Sequence, residues 1–307
     1  MSKPEKKAAG RRNLWIVLAL VVIVIIAVVS AVWILVSVIS PLVGYKAEDT
    51  KSYSGEVTVD NVYLELKIFN GPIQVSTWNN AEYKIDLTIE ARGSSQEDAE
   101  DNLNALTINF DESVVQEQKR LVLNYDVPSS IPPNISMEAD VVLPANAMID
   151  LDLDSSNGAI YLADVKGGNL STVTSNGRVV FDNVYAENLT TVTSNGRVEG
   201  DVEAKDTVLS TSNGEIDLTI PCTVSGEYSL STSNAKIELT VSSSTEVGYD
   251  LDLSTSNADI NINLSNLVYS LDQKTSKKAQ SEGFSGKAVQ VTIEASTSNG
   301  NIYVDTS

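Results

Sequence analysis

The sequence predicts an all-β chain: a single-stranded, β-helix-like β-solenoid with one helix toward its N-terminal end, preceded by a single transmembrane helix. Three observations carry this reading. They are a tandem Ser-Asn-Gly repeat, a period-two apolar pattern after each copy, and an uncharged apolar run near the start of the chain.

The repeat is the main signal. Ser-Asn-Gly, or Ser-Asn-Ala, recurs with its asparagine at Asn157, Asn176, Asn195, Asn213, Asn234, Asn257 and Asn299, at spacings of 19, 19, 18, 21, 23 and 42. The last spacing is about double, so one copy reads as replaced by an irregular stretch from Asn263 to Lys287. Three positions after each asparagine stand Ile160, Val179, Val198, Ile216, Ile237, Ile260 and Ile302. Five positions after stand Leu162, Phe181, Gly200, Leu218, Leu239, Ile262 and Val304. Apolar residues two apart, separated by polar ones, describe a half-buried strand. Two positions before each asparagine is a hydroxyl residue, from Ser155 and Thr174 through to Thr297.

Each period therefore reads as one coil, stacked ~4.8 Å above the last. The Asn-Gly step is the corner, chosen because both residues tolerate positive φ. Stacking sets Thr over Thr and Asn over Asn, so that amides pair between coils. A β-sandwich of hairpins is the rival, since Asn-Gly is also a hairpin signal. The uniform period and the constant residue identities favour the solenoid.

Leu14 to Ile39 is a run of 26 uncharged, mostly apolar residues, long enough to span a ~30 Å hydrocarbon core. It is too long for a signal-peptide core. Lys3, Lys6, Lys7, Arg11 and Arg12 precede it and only Lys46 follows closely, which places the N-terminus in the cytoplasm and the rest outside. The organisation expected is a basic tail at 1–13, a transmembrane helix at 14–39 and a stalk at 40–55. A β-rich capping region at 56–145 and solenoid repeats at 146–307 follow. Within the capping region, Ser94 to Leu106 is the one helical candidate, with Ser95 as its cap. Pro128, Pro132 and Pro133 mark a link, and Asn70-Gly71 is a degenerate copy of the repeat. No comparable cap is visible at the C-terminal end.

The chain holds 21 basic and 41 acidic residues, with five and one of them before the apolar run. The remainder is strongly acidic, which argues against nucleic acid and anionic lipid as partners. The chain contains no histidine and a single cysteine, Cys222. Mechanisms built on histidine, and intramolecular disulfides, are thereby excluded. No catalytic residue and no cofactor is expected.

Phe69-Asn70-Gly71-Pro72-Ile73, then Val75 and Trp78, an acidic helix, a strand ending at Pro144 and the tandem Thr-Ser-Asn-Gly copies together resemble the putative-adhesin family of bacterial and archaeal envelope proteins. The resemblance covers roughly residues 55–307. It implies a β-strand-repeat fold and a role in surface adhesion, with no established ligand.

Asp150, Asp152 and Asp154 share one strand face, as do Asp250 and Asp252. They are weak Ca²⁺ candidates, and the outward half of an amphipathic strand is the plainer reading. Asn134, Asn169, Asn188 and Asn263 begin Asn-x-Ser/Thr sequons and are possible glycosylation sites. Lys274, Lys277, Lys278 and Lys287 form a basic patch in what reads as a mobile loop. Cys222 reads as a buried small hydrophobe. The function expected is a membrane-anchored cell-surface adhesion or interaction module, with an envelope protein or glycan as partner. The alternative is an envelope assembly or stress-signalling scaffold that self-associates through an uncapped last coil. A carbohydrate-active β-helix enzyme is the remote third.

Overall fold

The structure, a computed structural model, describes residues 44–127 and 134–307. The tail 1–13, the apolar run 14–39 and the prolines of the 128–133 link lie outside the described residues. Among those described, no helix is long and apolar enough to cross a membrane.

The described chain is all-β with one α-helix, and its strands stack in two parallel ladders. From the end nearest residue 44, the first ladder runs β6 (Gln118–Asp126), β2 (Asn61–Ile68), β8 (Met148–Ser155) and β10 (Lys166–Thr174). It continues through the later halves of β11 (Val179–Thr193) and β12 (Val198–Thr211), then β14 (Gly226–Ser231), β20 (Val289–Thr297) and β16 (Val247–Thr255). The second ladder runs β7 (Ile135–Pro144), β3 (Ile73–Trp78), β9 (Ile160–Ala163) and the first halves of β11 and β12. It ends with β13 (Ile216–Ile220), β15 (Ile237–Val241), β21 (Ile302–Thr306) and β17 (Ile260–Ile262). One strand from each ladder makes a coil, and the Ser-Asn-Gly step is the corner between them.

The period-two pattern places the core between the ladders. The isoleucines and valines three positions after each asparagine are all buried, and so are Leu162, Phe181, Leu218, Leu239 and Val304 five positions after. They join one continuous cluster that runs from Val57 to Val304. Burying each such side chain contributes about 1.5–3 kcal/mol, and only a stacked neighbour completes the burial.

Stack order and chain order differ at both ends. Coil β20–β21 is last in the chain but lies between β14–β15 and β16–β17. The 42-residue gap is therefore not a lost copy. The chain builds the outermost coil, turns through the hairpin β18 (Leu267–Gln273) and β19 (Ser276–Ser281), then returns to insert its last coil beneath. The expected irregular, mobile stretch is this hairpin. β19 pairs antiparallel with β16, and the turn carbonyls of Lys274 and Thr275 accept from the Ile260 and Thr255 N–H groups. The end expected to be uncapped is thus covered.

The other end mirrors it. Coil β6–β7 lies beneath β2–β3 although it follows in the chain. It is closed by β5 (Thr107–Val115) on one ladder and by β4 (Glu82–Gly93) and β1 (Tyr45–Glu56) on the other. Helix α1 (Gln96–Asn104) packs on β4 and β1, with Ser95 as its N-cap as expected. The expected stalk at 40–55 is, from Tyr45, a strand paired along its whole length with β4. As an outer strand it buries little more than Ala47, so its sequence lacks the alternation that marks inner strands.

At the corners the structure also corrects the reason for glycine. None of the seven repeat asparagines, and none of the glycines that follow them, has a positive φ; Asn70 does, at 61°. The glycine is required because the backbones approach closely. A Cβ on Gly158, Gly177, Gly196 or Gly214 would lie 1.6 to 1.8 Å from the carbonyl oxygen of the glycine beneath. The hydroxyl two residues before each asparagine uses that approach. Thr174 donates to the Gly158 carbonyl at 3.0 Å and accepts from the Gly177 N–H at 3.1 Å. Ser155, Thr193, Thr211 and Thr297 repeat the pattern.

Gly177→Ala should lower stability by about 1–3 kcal/mol, the usual cost of overpacking, seen as a lower thermal midpoint by circular dichroism. Gly286→Ala, with nothing within 4 Å of the added methyl, is the control and should leave the midpoint in place. Equal midpoints for the two variants would refute close approach as the reason for glycine.

Candidate interaction surfaces

The repeat asparagines form one continuous amide ladder along a corner edge. Each Nδ2 donates to the Oδ1 of the coil beneath, in the order Asn70, Asn157, Asn176, Asn195, Asn213, Asn234, Asn299, Asn257. At the foot, Asn70 Nδ2 donates to the Ile135 carbonyl at 3.2 Å. The ladder joins the seven predicted residues and the degenerate copy at Asn70, and its order confirms the inserted coil. These side chains are structural, since each amide's donor and acceptor serve its neighbours.

Asp150, Asp152 and Asp154 point outward from β8, as the plainer reading had it. Their carboxylates do not converge on a common point. Asp150 is already taken, accepting from Gln118 Nε2 at 3.0 Å and from Asn169 N and Nδ2 at 2.7 and 3.1 Å. Burial pushes the Asp154 carboxyl above its ordinary range, and nearby Lys67 partly offsets this. The carboxylates that do converge, among the described residues, are Glu215, Asp217 and Glu238 on the outer face of the second ladder. Cations of the chain occupy that cluster. Arg197 contacts Glu215 at 3.4 Å and pairs with Asp217; Lys236 lies 3.1 Å from Glu215 and pairs with Glu238. Glu215 Oε1 is fully buried without a well-oriented hydrogen bond, so these two cations are what compensate its burial.

The basic patch is likewise spent internally. Lys274 pairs with Asp259, Lys277 with Asp272 and Lys278 with Asp252, while Lys287 donates to the Thr245 carbonyl. The four sequon asparagines are all exposed. Asn169 and Asn188 form a second, shorter ladder with Asp150, Asn188 Nδ2 donating to Asn169 Oδ1 at 2.9 Å. Asn134 and Asn263 stand apart from it. Cys222 is buried against the Tyr249 hydroxyl, and burial pushes its thiol up, away from reactivity.

The feature that sequence reasoning missed is the outer face of the first ladder. Toward the corner end of β10, β11, β12 and β14 two outward columns run in register: Ser171, Thr190, Val208 and Ser229, and beside them Val173, Val192, Ser210 and Ser231. Neither column holds a charge. The next outward column, Asn169, Asn188, Asp206 and Glu227, turns acidic at its last two members. Val173, Val192 and Val208 are 36, 43 and 50% exposed, three of the eight exposed large hydrophobics among the described residues. Carboxylates bound the field on both sides, Asp152 and Asp154 below and Glu294 and Asp252 above. The signal was available in the sequence, three and five positions before each asparagine, in the uncharged entries between acidic ones.

At the proximal cap, Lys119 is nearly buried and pairs with Glu112, which also accepts from the Tyr83 hydroxyl at 2.8 Å. The hydrogen bond from Lys119, helped by that from Tyr83, holds the Glu112 carboxyl below the ordinary glutamate range against the opposing effect of burial.

With the geometry in place, comparison assigns the lineage. The Toastrack DUF4097 family matches residues 65–305, and the chain belongs to it. This agrees with the resemblance seen in the repeats. Among solved structures, the chain is similar to a putative cell adhesion protein from Clostridium sporogenes, at 9% identity and a TM-score of 0.37, covering 85% of this chain and 100% of that one. A putative adhesin from Bacteroides fragilis is similar at 12% identity and 0.34, covering 83% and 97%. A putative lipid binding protein from Parabacteroides distasonis is similar at 12% and 0.35, covering 85% and 98%. None of the curated proteins matches the chain.

Two outcomes are expected. Glu112→Gln should destabilise by about 1–2 kcal/mol at neutral pH, because it leaves the Lys119 ammonium without its counter-charge. Since the folded carboxyl is held below its unfolded value, that stabilisation is present above about pH 4.3 and fades as pH falls through the folded value. Urea titrations of wild type and variant should therefore converge in acid; a constant gap would refute the ion-pair account. Separately, millimolar Ca²⁺ should leave the wild-type thermal midpoint unchanged, while Arg197→Met should lower it by the equivalent of about 1–2 kcal/mol. A calcium-driven rise in the wild type would mean that the ion displaces Arg197 and Lys236.

Proposed function

We propose that this Toastrack DUF4097 protein is a membrane-anchored, non-catalytic display module of the cell surface that meets its partner through the uncharged field of the first ladder. The field is the single observation that carries the reading. On a chain of net charge −20, it is where two adjacent outward columns carry no charge across four successive strands and three valines stand in solvent. Exposed apolar groups among hydroxyls, on a rigid sheet, suit an uncharged or weakly charged partner such as an envelope glycan or protein.

Anchoring rests on the apolar run 14–39 and its basic flank, with the N-terminus cytoplasmic and the β-stack outside. The position of β1 supports it. The chain passes from that run into an outermost strand of the stack, so the anchor would join at one end and leave the long faces clear. Catalysis finds no support: the converging carboxylates are neutralised by Arg197 and Lys236, and histidine is absent. The self-associating scaffold loses its main premise, since the coil once expected to be bare is covered by the β18–β19 hairpin.

In cells carrying the full chain, externally added protease should remove residues beyond the apolar run and spare the tail. Thr190→Lys with Val192→Lys, at exposed positions that leave the core intact, should reduce retention of those cells on their own envelope polysaccharide about tenfold. That loss corresponds to about 1.4 kcal/mol at the contact. Unchanged retention at an unchanged thermal midpoint would remove the field as the contact surface. Protection of the repeats from external protease would remove the topology.

A further inference from the structure

Six Asn-Gly steps lie in this chain, at 70, 157, 176, 195, 213 and 299. Asn-Gly is chemically labile because an unhindered glycine amide nitrogen can attack the asparagine side chain. That nitrogen bonds to Cγ and closes a succinimide; the side-chain amide leaves as ammonia with the proton from the glycine N–H, and water opens the ring to Asp or isoaspartate. The reaction needs a free glycine N–H and an amide able to leave its place.

The amide is held in the ladder at all six steps, and at five of them the coil geometry also denies the free N–H. The glycine N–H donates to the hydroxyl three residues before it: Gly158 to Ser155 at 3.0 Å, Gly177 to Thr174 at 3.1 Å, Gly196 to Thr193 at 3.0 Å, Gly214 to Thr211 at 3.0 Å and Gly300 to Thr297 at 3.2 Å. Those glycines are buried, as is Gly71. Asn70 differs in what faces its glycine N–H. Two residues before it stands Ile68, which is buried and has no hydroxyl, and its own φ is 61°. The bond that holds the glycine N–H at the other corners cannot form there.

We propose that Asn70 is a site of spontaneous deamidation in the folded protein, and that the hydroxyl–glycine bonds shield the other five steps. The consequence falls on the foot of the amide ladder. An aspartate at 70 loses the donor that reaches the Ile135 carbonyl, and isoaspartate adds a backbone atom beneath Asn157. Ageing at this one position would loosen the junction between the first repeat coil and the proximal cap.

The test is site-resolved peptide mapping by mass spectrometry of the full chain in detergent, held at mildly alkaline pH, beside the same chain unfolded in urea. In the folded chain Asn70 should convert about tenfold faster than Asn176 or Asn195, and in urea the six sites should converge. A folded chain in which Asn70 is no faster than the others overturns the proposal. So does a spread that persists in urea, because it would reflect local sequence such as Pro72. Thr193→Val should raise conversion at Asn195 about five- to tenfold, the ratio that one ordinary hydrogen bond represents. No rise would overturn the shielding role. The wild-type comparison does not depend on that variant folding.

Discussion

One buried hydroxyl at the corner of each Asn-Gly repeat coil, donating downward to the carbonyl beneath and accepting from its own glycine amide, is the contact on which the stack depends. Turning a chain sharply every nine or ten residues leaves backbone groups pointing away from the sheets, and burying them unpaired costs about 1–3 kcal/mol each. The Thr174 geometry satisfies two such groups from adjacent coils with a single side chain. It works only if the backbones come close enough, which is why the glycine of the upper coil has no room for a Cβ above the carbonyl beneath it. Thr, Asn and Gly are thus one device: hydroxyl inside, amide outside, and no side chain between.

That device repeats indefinitely and so creates the problem of ending. A parallel ladder presents raw strand edges at both ends, and such edges template further pairing. The chain answers twice in the same way, by reaching past its outermost coil, laying down antiparallel strands and returning inside them. β4, β1 and β5 close one end, and the β18–β19 hairpin closes the other.

The repeated part was legible because its constraints are local in sequence. The asparagines, the hydroxyls and the β-branched positions recur at fixed offsets, so Asn-over-Asn stacking could be read directly. What escaped was everything that depends on which coil lies next to which. A spacing of 42 fits a missing copy as well as an inserted one, and only the pairing of β20 with both β14 and β16 decides between them. β1 escaped for a different reason: a strand covered on one edge buries too little to alternate, so Tyr45–Glu56 looks like a linker. The role of glycine was misread because Asn-Gly is usually a positive-φ turn. Here proximity, not dihedral freedom, is the requirement.

Regularity also shapes what the surface can do. In a solenoid, any outward position becomes a column, so the sequence can write a whole stripe of one character by choosing one offset. On the second ladder the stripe is charged and self-neutralising, Arg178 and Arg197 reaching Glu199, and Arg197 and Lys236 reaching Glu215. Such a surface is already satisfied and offers little to a partner. On the first ladder the same offsets carry serine, threonine and valine through four coils before carboxylates resume. Those hydroxyls and methyls have few partners within the chain, and a contact there would strip water without breaking an ion pair. A strongly acidic molecule repels most polyanions at long range, yet this field can be approached closely by a neutral partner. The difference between the two faces is therefore one of unspent interaction, and it is the first ladder that retains it.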